Sequence, residues 1–278
     1  MKRAACPPDF LFPLLRTALF LSFFIPVNLP AEAVFYGELN DLKGRVEMSN
    51  GASGEYKPAS GGMPVQSGDR VKTFNDSSCN LELDDGSLIF VGENTEMSAD
   101  LLSISADKHS SKFSLFLGRV IANIAKTKNT KMEIHSPTAV AAVRGTEFAV
   151  EATAEKTDVG VFSGQIGVKN ADENAPVEVL VNPDEETAVA RNMAPEKPGY
   201  LSEVMKKHRE RNIALRERSK LLKERLRRIN PEKRDLERRR ALERFKKLKV
   251  KTGNSRENMK NRGMNPRKKA DRARGRRN

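Results

Sequence analysis

Short runs of alternating apolar and polar residues fill residues 34–198, and they restrict the fold more than any other feature of the sequence. In an extended strand successive side chains point to opposite faces, so a run of this kind buries one face and exposes the other. Clusters of Gly, Asn, Asp and Ser, the residues that turns favour, separate the runs. The pattern predicts an all-β domain of about twelve short strands, built as a sandwich, a barrel or a short β-solenoid-like fold.

The bounds of these runs give the strand predictions. They are 44–48, 70–73, 80–83, 88–91, 101–104, 112–124, 131–134, 147–151, 158–162, 165–169, 178–181 and 186–190. Asp85-Gly86, between two of the runs, is typical of a tight hairpin turn. Gly44, Gly118 and Gly164 each begin a triplet of glycine, a polar residue and a β-branched residue. At the entry to a strand, such a glycine can supply a bulge or a positive φ.

The segment 135–150 holds the most unusually placed charge in this region. Pro137 is followed by small and β-branched residues, and Arg144 then stands in an otherwise uncharged run before an alternating strand. In one interpretation Arg144 is structural and uses its five donors on turn carbonyls or on an acid such as Asp69 or Asp85. In the other it is an exposed contact for a partner. We favour the structural role, in a turn that joins two strands.

No motif indicates catalysis or a bound metal. The sequence lacks the Gly-x-Ser-x-Gly, His-Glu-x-x-His and phosphate-loop patterns. Its two cysteines do not provide a disulfide framework, and its three histidines are far apart. The acids around Asp84 and Asp85 lack the spacing of a Ca²⁺ loop, so a hairpin turn is favoured there. Cys79 is expected to be a buried thiol. We therefore predict a protein that is not an enzyme and that uses no cofactor.

Charge divides the chain into an acidic part and a basic part. Residues 34–198 hold 16 Lys/Arg and 25 Asp/Glu, a net charge of −9. Residues 199–278 hold 31 Lys/Arg and 10 Asp/Glu, a net charge of +21. Unlike charges attract over roughly 8 Å at physiological salt, so the basic part is able to fold back onto the acidic part.

A helix is predicted at the start of the basic part. Residues 201–229 contain no Gly or Pro and consist largely of strong helix formers. Apolar residues recur there at alternating steps of three and four, which favours a coiled coil. His208, Asn212 and Ser219 occupy intervening positions of the stripe and argue against one. Residues 232–249, after Pro231, are a second helix candidate.

The end of the chain, residues 251–278, consists mainly of Arg, Lys, Asn and Gly and is expected to be disordered. Such a segment can contact a polyanion electrostatically. Nucleic acid is disfavoured as a partner because Phe245 is the only aromatic residue after Tyr200 and bases bind by stacking on aromatic rings. An anionic surface is the favoured partner, oligomerisation through residues 199–278 is an alternative, and a solvated tail without a ligand is another.

The N-terminus has the pattern of an export signal. Basic residues precede the apolar residues 17–27, and Ala31-Glu32-Ala33 supplies the small residues that signal peptidase requires. Cleavage is predicted after Ala33, which places the protein in a periplasm or outside the cell. The apolar run is short for a membrane span and contains Pro26. An uncleaved anchor is the alternative.

In order and spacing, several segments resemble the FecR domain family. They are 44–47, 67–73, 80–87, 92–95, 117–120, 136–148 and 161–168, and the resemblance covers roughly residues 38–190. The segment from Pro137 to Phe148 is the most specific of them. The resemblance implies a structural role for the signature residues Gly44, Gly68, Asp69, Asp85, Gly86, Gly118, Pro137, Arg144, Gly145, Thr146, Phe148 and Gly164.

The resemblance implies an extracytoplasmic β-rich domain that serves in signalling or scaffolding. The best-known members are membrane-spanning regulators that pass an outer-membrane transport signal to a cytoplasmic sigma factor. An apolar segment within thirty residues of Met1 and a basic, helical C-terminal part depart from that architecture. We expect a non-enzymatic, exported envelope module that binds a protein or a glycan. The alternatives are a membrane-anchored regulator of the sigma-factor type and an enzyme on a β scaffold.

These features divide the chain into four parts. They are a signal peptide (1–33), a FecR-like β domain (34–198), a basic helical region (199–250) and a disordered basic tail (251–278).

Overall fold

A computed structural model describes residues 37–49, 51, 54–105, 108–126, 130–172 and 177–230, together with 232, 233, 236, 237, 239 and 240. The predicted signal peptide and the predicted disordered tail lie outside these residues, as does most of the second predicted helix. The strands are β1 (Gly37–Lys43), β2 (Val46–Ser49), β3 (Tyr56–Pro58), β4 (Met63–Val65), β5 (Asp69–Thr73), β6 (Ser78–Leu83), β7 (Leu88–Val91), β8 (Glu96–Ser105), β9 (Lys108–Asn123), β10 (Thr130–His135), β11 (Ala139–Val143), β12 (Glu147–Ala152), β13 (Lys156–Ser163), β14 (Ile166–Asn170), β15 (Glu178–Val181), β16 (Glu185–Ala190) and β17 (Gly199–Tyr200). The helix α1 spans Glu203–Arg228.

The strands form one continuous hydrogen-bonded network that divides into two layers. In sheet A the order is β4-β1-β6-β7-β9-β12-β13-β16-β17. In sheet B it is β3-β2-β5-β8-β9-β10-β11-β14-β15. Strands β9 and β10 are parallel to each other. The pairs that they form with their other neighbours are antiparallel. The all-β prediction is therefore confirmed, in its sandwich form.

The long strand β9 belongs to both sheets. Its first part pairs with β8 and β10 in sheet B, and from Gly118 onward it pairs with β7 and β12 in sheet A. Gly118 has a φ of +97°, which L side chains rarely adopt. A Cβ atom at this position would collide with the Oγ1 and Cα atoms of Thr95. Gly118 lies inside β9, as it does in the predicted strand 112–124, because a single strand that serves two sheets has to bend where it leaves the first.

Between the sheets, alternate side chains of both layers form one core. Ile89 and Val91 of β7 and Phe148 of β12 point into it and are at most 1% exposed. Leu88 and Ala149, their neighbours along the chain, point to the other face of sheet A and belong to a second apolar cluster. Sheet A is therefore apolar on both faces, and its outer face needs a cover.

Helix α1 supplies that cover. Ser202 caps its N-terminus, where the Ser202 hydroxyl accepts a hydrogen bond from the Met205 amide at 3.3 Å. Leu201, Met205 and Leu215 pack on the outer apolar cluster of sheet A. The predicted helix is thereby confirmed, with ends that differ by one or two residues. None of the helical segments that the structure describes is both long and apolar enough to cross a membrane.

Twelve strands were predicted and all twelve are present, most with ends shifted by one to five residues. Five more were not predicted: β1, β3, β4, β11 and β17. Strands β3, β4 and β17 have three, three and two residues, too few to show a period. Strand β11, Ala-Val-Ala-Ala-Val, is apolar on both faces and so does not alternate. Strand β1 buries only Leu39 and Gly37 among mostly polar residues.

We predict that Gly118→Ala lowers the free energy of unfolding by about 2–4 kcal/mol, because the new side chain adds backbone strain and a clash with Thr95. Denaturant unfolding followed by circular dichroism measures this change. Gly61→Ala is the matched control, since its Cβ would meet open space, and its effect should stay within about 0.5 kcal/mol. Equal effects of the two substitutions would contradict the role of the bend.

Candidate functional site

The signature segment forms a turn that carries the chain from sheet B to sheet A. It joins β11 to β12, as predicted, and the Ile124 amide donates to the Thr146 carbonyl at 3.0 Å. Val143 and Thr146 are buried, whereas Arg144 is exposed at the bend. Gly145 has a φ of +62°. The choice between a structural and a partner-binding role for Arg144 remains a prediction.

The other signature residues have different neighbours and do not form one site. Gly44 lies against Ser77, Gly86 against Lys223 of α1, and Gly164 against Thr146. Asp85 accepts a hydrogen bond from the Ser87 amide at 2.7 Å within the predicted hairpin turn. Phe148 is fully buried, and Pro137 lies in the short turn before β11. A positive φ is shared by Gly44, Gly68, Gly86, Gly118, Gly145 and Gly164.

Two signature residues, Gly68 and Asp69, line a cleft on the outer face of sheet B. The cleft has a volume of about 730 Å³, within the range of small-molecule sites. We call it the sheet B cleft and define it by its lining residues. They are Ser49, Gly51, Gly54, Tyr56, Gln66, Ser67, Gly68, Asp69, Arg70, Ser98, Asp100 and Phe116.

One wall of the sheet B cleft is the turn 66–69, which hydrogen bonds hold in place. The Gln66 amide donates to Asp69 Oδ2 at 3.0 Å, and the Asp69 amide donates to the Gln66 carbonyl at 3.0 Å. The Gly68 amide donates to the Ala99 carbonyl at 2.6 Å. Ser67 Oγ accepts from the Leu102 amide at 2.8 Å. Since these bonds tie the turn to itself and to β8, the wall is preorganised.

Charged and aromatic side chains stand beside one another in and around the cleft. The Arg70 guanidinium lies 5.3 Å from the centroid of the Phe116 ring. The Tyr56 hydroxyl donates to Glu96 at 2.8 Å, and Lys72 Nζ lies 3.1 Å from the same carboxyl group. Partial burial, reinforced by the Glu96 carboxylate, raises the pKa of Tyr56. Tyr56 therefore stays protonated, as a hydrogen-bond donor, at neutral pH.

The polar positions in the buried stripe of α1 each meet a partner on the β domain. His208 Nε2 lies 2.7 Å from Glu151 Oε1, and Asn212 Nδ2 donates to Glu147 at 2.7 Å. Ser219 Oγ donates to the Gly86 carbonyl at 3.0 Å. The three residues that interrupt the coiled-coil stripe are thus the ones that form hydrogen bonds with β12 and with the β6–β7 hairpin turn.

Ion pairs flank this polar stripe. The Arg216 guanidinium binds both carboxylate oxygens of Glu147, with its Nε at 2.9 and 3.1 Å. Arg209 lies 2.6 Å from Asp184, and Arg225 lies 2.8 Å from Glu82. Arg218 pairs with Asp41. The expected return of the basic part onto the acidic part is confirmed for α1. The arginines are about half exposed, so each pair contributes only modestly to stability.

The sequence singled out only some of the side chains that make these two surfaces, among them Asp69 in the cleft and His208 on α1. Tyr56, Phe116 and Asp100 belong to different strands, and only the fold brings them to one cleft. Glu147 and Glu151 are four residues apart in β12, and an even spacing in a strand indicates that both side chains lie on the same face. That signal was present in the sequence, but it did not reveal that a helix covers the face.

The one cysteine among the described residues, Cys79, lies outside these surfaces and is unreactive. Cys79 is 1% exposed, and burial raises the pKa of its thiol to about 12, so no thiolate forms at neutral pH. The buried thiol expected from the sequence is confirmed. Within the described ranges, no three His, Cys, Asp or Glu side chains are grouped in a way that would hold a metal ion.

Residues 69–167 resemble a known protein family. They match the sequence model of the FecR protein family. Two crystal structures of a candidate anti-sigma factor from Parabacteroides distasonis resemble 47% of this chain, with 16% sequence identity and a TM-score of 0.40. The chain spans 59% of the length of those structures. No curated protein matches this chain.

The surroundings of Glu151 lead us to expect that the docking of α1 depends on pH. The hydrogen bond from His208 lowers the pKa of the Glu151 carboxyl group; burial acts against this shift, and the charges of His208 and Arg119 add to it. A carboxylate with a lowered folded-state pKa stabilises the fold above its unfolded value of about 4.3. That contribution is lost as the pH falls through the folded-state pKa.

We therefore predict that Glu151→Gln lowers the melting temperature at pH 7 and that its difference from the wild type shrinks as the pH falls below about 4. Thermal melts at a series of pH values measure both effects. Glu155→Gln is a suitable control, because Glu155 is exposed and pairs with Arg191 instead of α1. A difference that stays constant over the whole pH range would rule out this role of Glu151.

Proposed function

We propose that this chain, which contains a FecR domain at residues 69–167, is an exported, non-enzymatic binding module of an envelope signalling or scaffold system. The FecR assignment supports a signalling role. The observation that carries the binding role is the sheet B cleft, a preorganised polar site on the sheet face opposite to α1. The residues that line the cleft include no histidine and no cysteine. Ser67 holds the turn in place, and Ser98 donates its hydroxyl hydrogen directly to Asp100.

The basic part of the chain has two roles in this proposal. Four arginines of α1 form ion pairs with the β domain; they are Arg209, Arg216, Arg218 and Arg225. Residues 231–278 hold 20 Lys/Arg and 6 Asp/Glu, a net charge of +14. They are the part that contacts an anionic surface of the envelope. Because α1 covers apolar residues of sheet A, a deletion that tests this role has to begin after Asn230 and not at residue 199.

We predict that the chain from Val34 binds vesicles of anionic phospholipid and that truncation after Asn230 weakens the binding by more than about tenfold, since each cation near such a surface contributes about 1 kcal/mol. Vesicle co-sedimentation at rising salt measures the effect. Vesicles of neutral lipid are the lipid control, and an unchanged melting temperature shows that the truncated chain is folded. Binding that responds neither to salt nor to truncation would refute the electrostatic role.

A membrane-anchored regulator of the sigma-factor type is the second candidate. It fits the FecR family equally well, and the apolar residues 17–27 would be its anchor. The two candidates differ in the fate of the N-terminus.

We predict that the mature protein begins near Val34, because small residues stand at the cleavage positions before it. Mass spectrometry of the protein purified from the producing cells determines this N-terminus. A mature chain that still contains residues 17–27 would favour the anchored regulator and would remove the exported form.

A further inference from the structure

Two β-bulges border the sheet B cleft, and each places its extra residue there. Opposite consecutive Glu96 and Met97 of β8, strand β9 has Leu117 and Leu115, so Phe116 is the extra residue. Opposite consecutive Phe113 and Lys112 of β9, strand β8 has Ala99 and Leu101, so Asp100 is the extra residue. Bulges re-aim side chains and recur beside functional sites. Here they bring one aromatic ring and one carboxylate to the same cleft.

A row of four polar residues, three serines and Arg70, crosses the sheet at the cleft. Ser49 pairs with Arg70, Arg70 with Ser98, and Ser98 with Ser114 across four neighbouring strands. Ser98 and Ser114 both donate their hydroxyl hydrogens to Asp100. Since a carboxylate has about four lone-pair positions, Asp100 is fixed in place and keeps acceptor capacity for a ligand.

The lining of the cleft is close to neutral. It contains one cation, Arg70, and two acids, Asp69 and Asp100, of which Asp69 is 7% exposed and bonded to its own turn. Such a site attracts neither polyanions nor polycations. It offers donors and acceptors in alternation beside the Phe116 ring, which is 41% exposed although aromatic rings are usually buried.

We propose that the sheet B cleft binds a neutral saccharide, with one sugar ring packed against Phe116 and its hydroxyl groups bonded to Arg70 and Asp100. Adjacent sugar hydroxyls are donors and acceptors at once, which suits a guanidinium beside a carboxylate. The apolar face of a sugar ring suits the aromatic side chain. The volume of about 730 Å³ accommodates a short oligosaccharide. This inference rests on the proposed function, that of a binding module, and names its ligand class.

An extended peptide fits the same surface less well. Peptides that add to a sheet use the unpaired backbone of an edge strand. The nearest edge, β3, has three residues and ends at Pro58, which has no amide hydrogen to donate. The residues that line the cleft lie mainly on the face of the sheet and not along its edge.

Titration of the exported chain with N-acetylglucosamine tetrasaccharide and with maltotetraose, followed by NMR and calorimetry, tests the proposal. We expect saturable binding of at least one saccharide, with signal changes confined to the cleft. Phe116→Ala and Arg70→Lys should each weaken the binding by about tenfold or more, because the first removes the ring and the second removes the planar guanidinium.

Matched controls separate loss of the site from loss of the fold. Leu117→Ala truncates the exposed neighbour of Phe116, which does not line the cleft. Arg45→Lys changes an arginine that lies 4.0 Å from the ring centroid of Phe74, away from the cleft. Both controls should bind the saccharide as the wild type does, and all four variants should keep the wild-type melting temperature within a few degrees.

The outcomes separate this inference from the proposed function. Saccharide binding that Phe116→Ala and Arg70→Lys leave unchanged would overturn the assignment to this cleft. No binding of either saccharide, together with saturable binding of an extended peptide that the two variants abolish, would overturn the ligand class and leave the binding module standing. If the wild type bound neither saccharide nor peptide at this cleft, the inference and its premise would both fall.

Discussion

A single strand, β9, holds the two sheets of this domain together. It pairs with β8 and β10 in one layer and with β7 and β12 in the other, and Gly118 provides the bend between the two parts. Because one backbone serves both layers, their separation and register are fixed by hydrogen bonds as well as by packing. Only a residue without a side chain fits at the bend, since Thr95 occupies the space where a Cβ would lie.

The same arrangement explains why α1 belongs to the folded unit. Sheet A has apolar residues on both faces, and those on its outer face would be exposed without the helix. The buried stripe of α1 contains His208, Asn212 and Ser219, which is a poor surface for another apolar helix. A buried polar group without a partner costs about 1–3 kcal/mol. His208, Ser219 and the Nδ2 group of Asn212 therefore favour the β domain, where each has a partner, whereas Asn212 Oδ1 has none there.

The sequence predicts the parts of this fold that depend on local pattern. Alternation located the strands that bury one face, and Asp85-Gly86 located a hairpin. The two-residue alternation did not reveal a very short strand such as β3, or the strand β11, which is apolar on both faces. The alternation of apolar and polar residues does not predict the sheet B cleft. Phe116 and Asp100 line the cleft because of two bulges, and a bulge is defined by how two strands pair, which the pattern of one strand does not show.

Charge is balanced locally in this molecule, and that decides what the remaining cations can bind. Carboxylates of the β domain that face α1, among them Glu82, Glu147 and Asp184, are already paired with its arginines. The segment after Asn230 has a net charge of +14. Its cations could pair with those carboxylates only by displacing an arginine of α1. Displacing an arginine to bind a second cation would exchange one ion pair for another with little gain. We therefore propose that the cations of residues 231–278 contact an anionic surface outside the chain and that the sheet B cleft takes a neutral ligand.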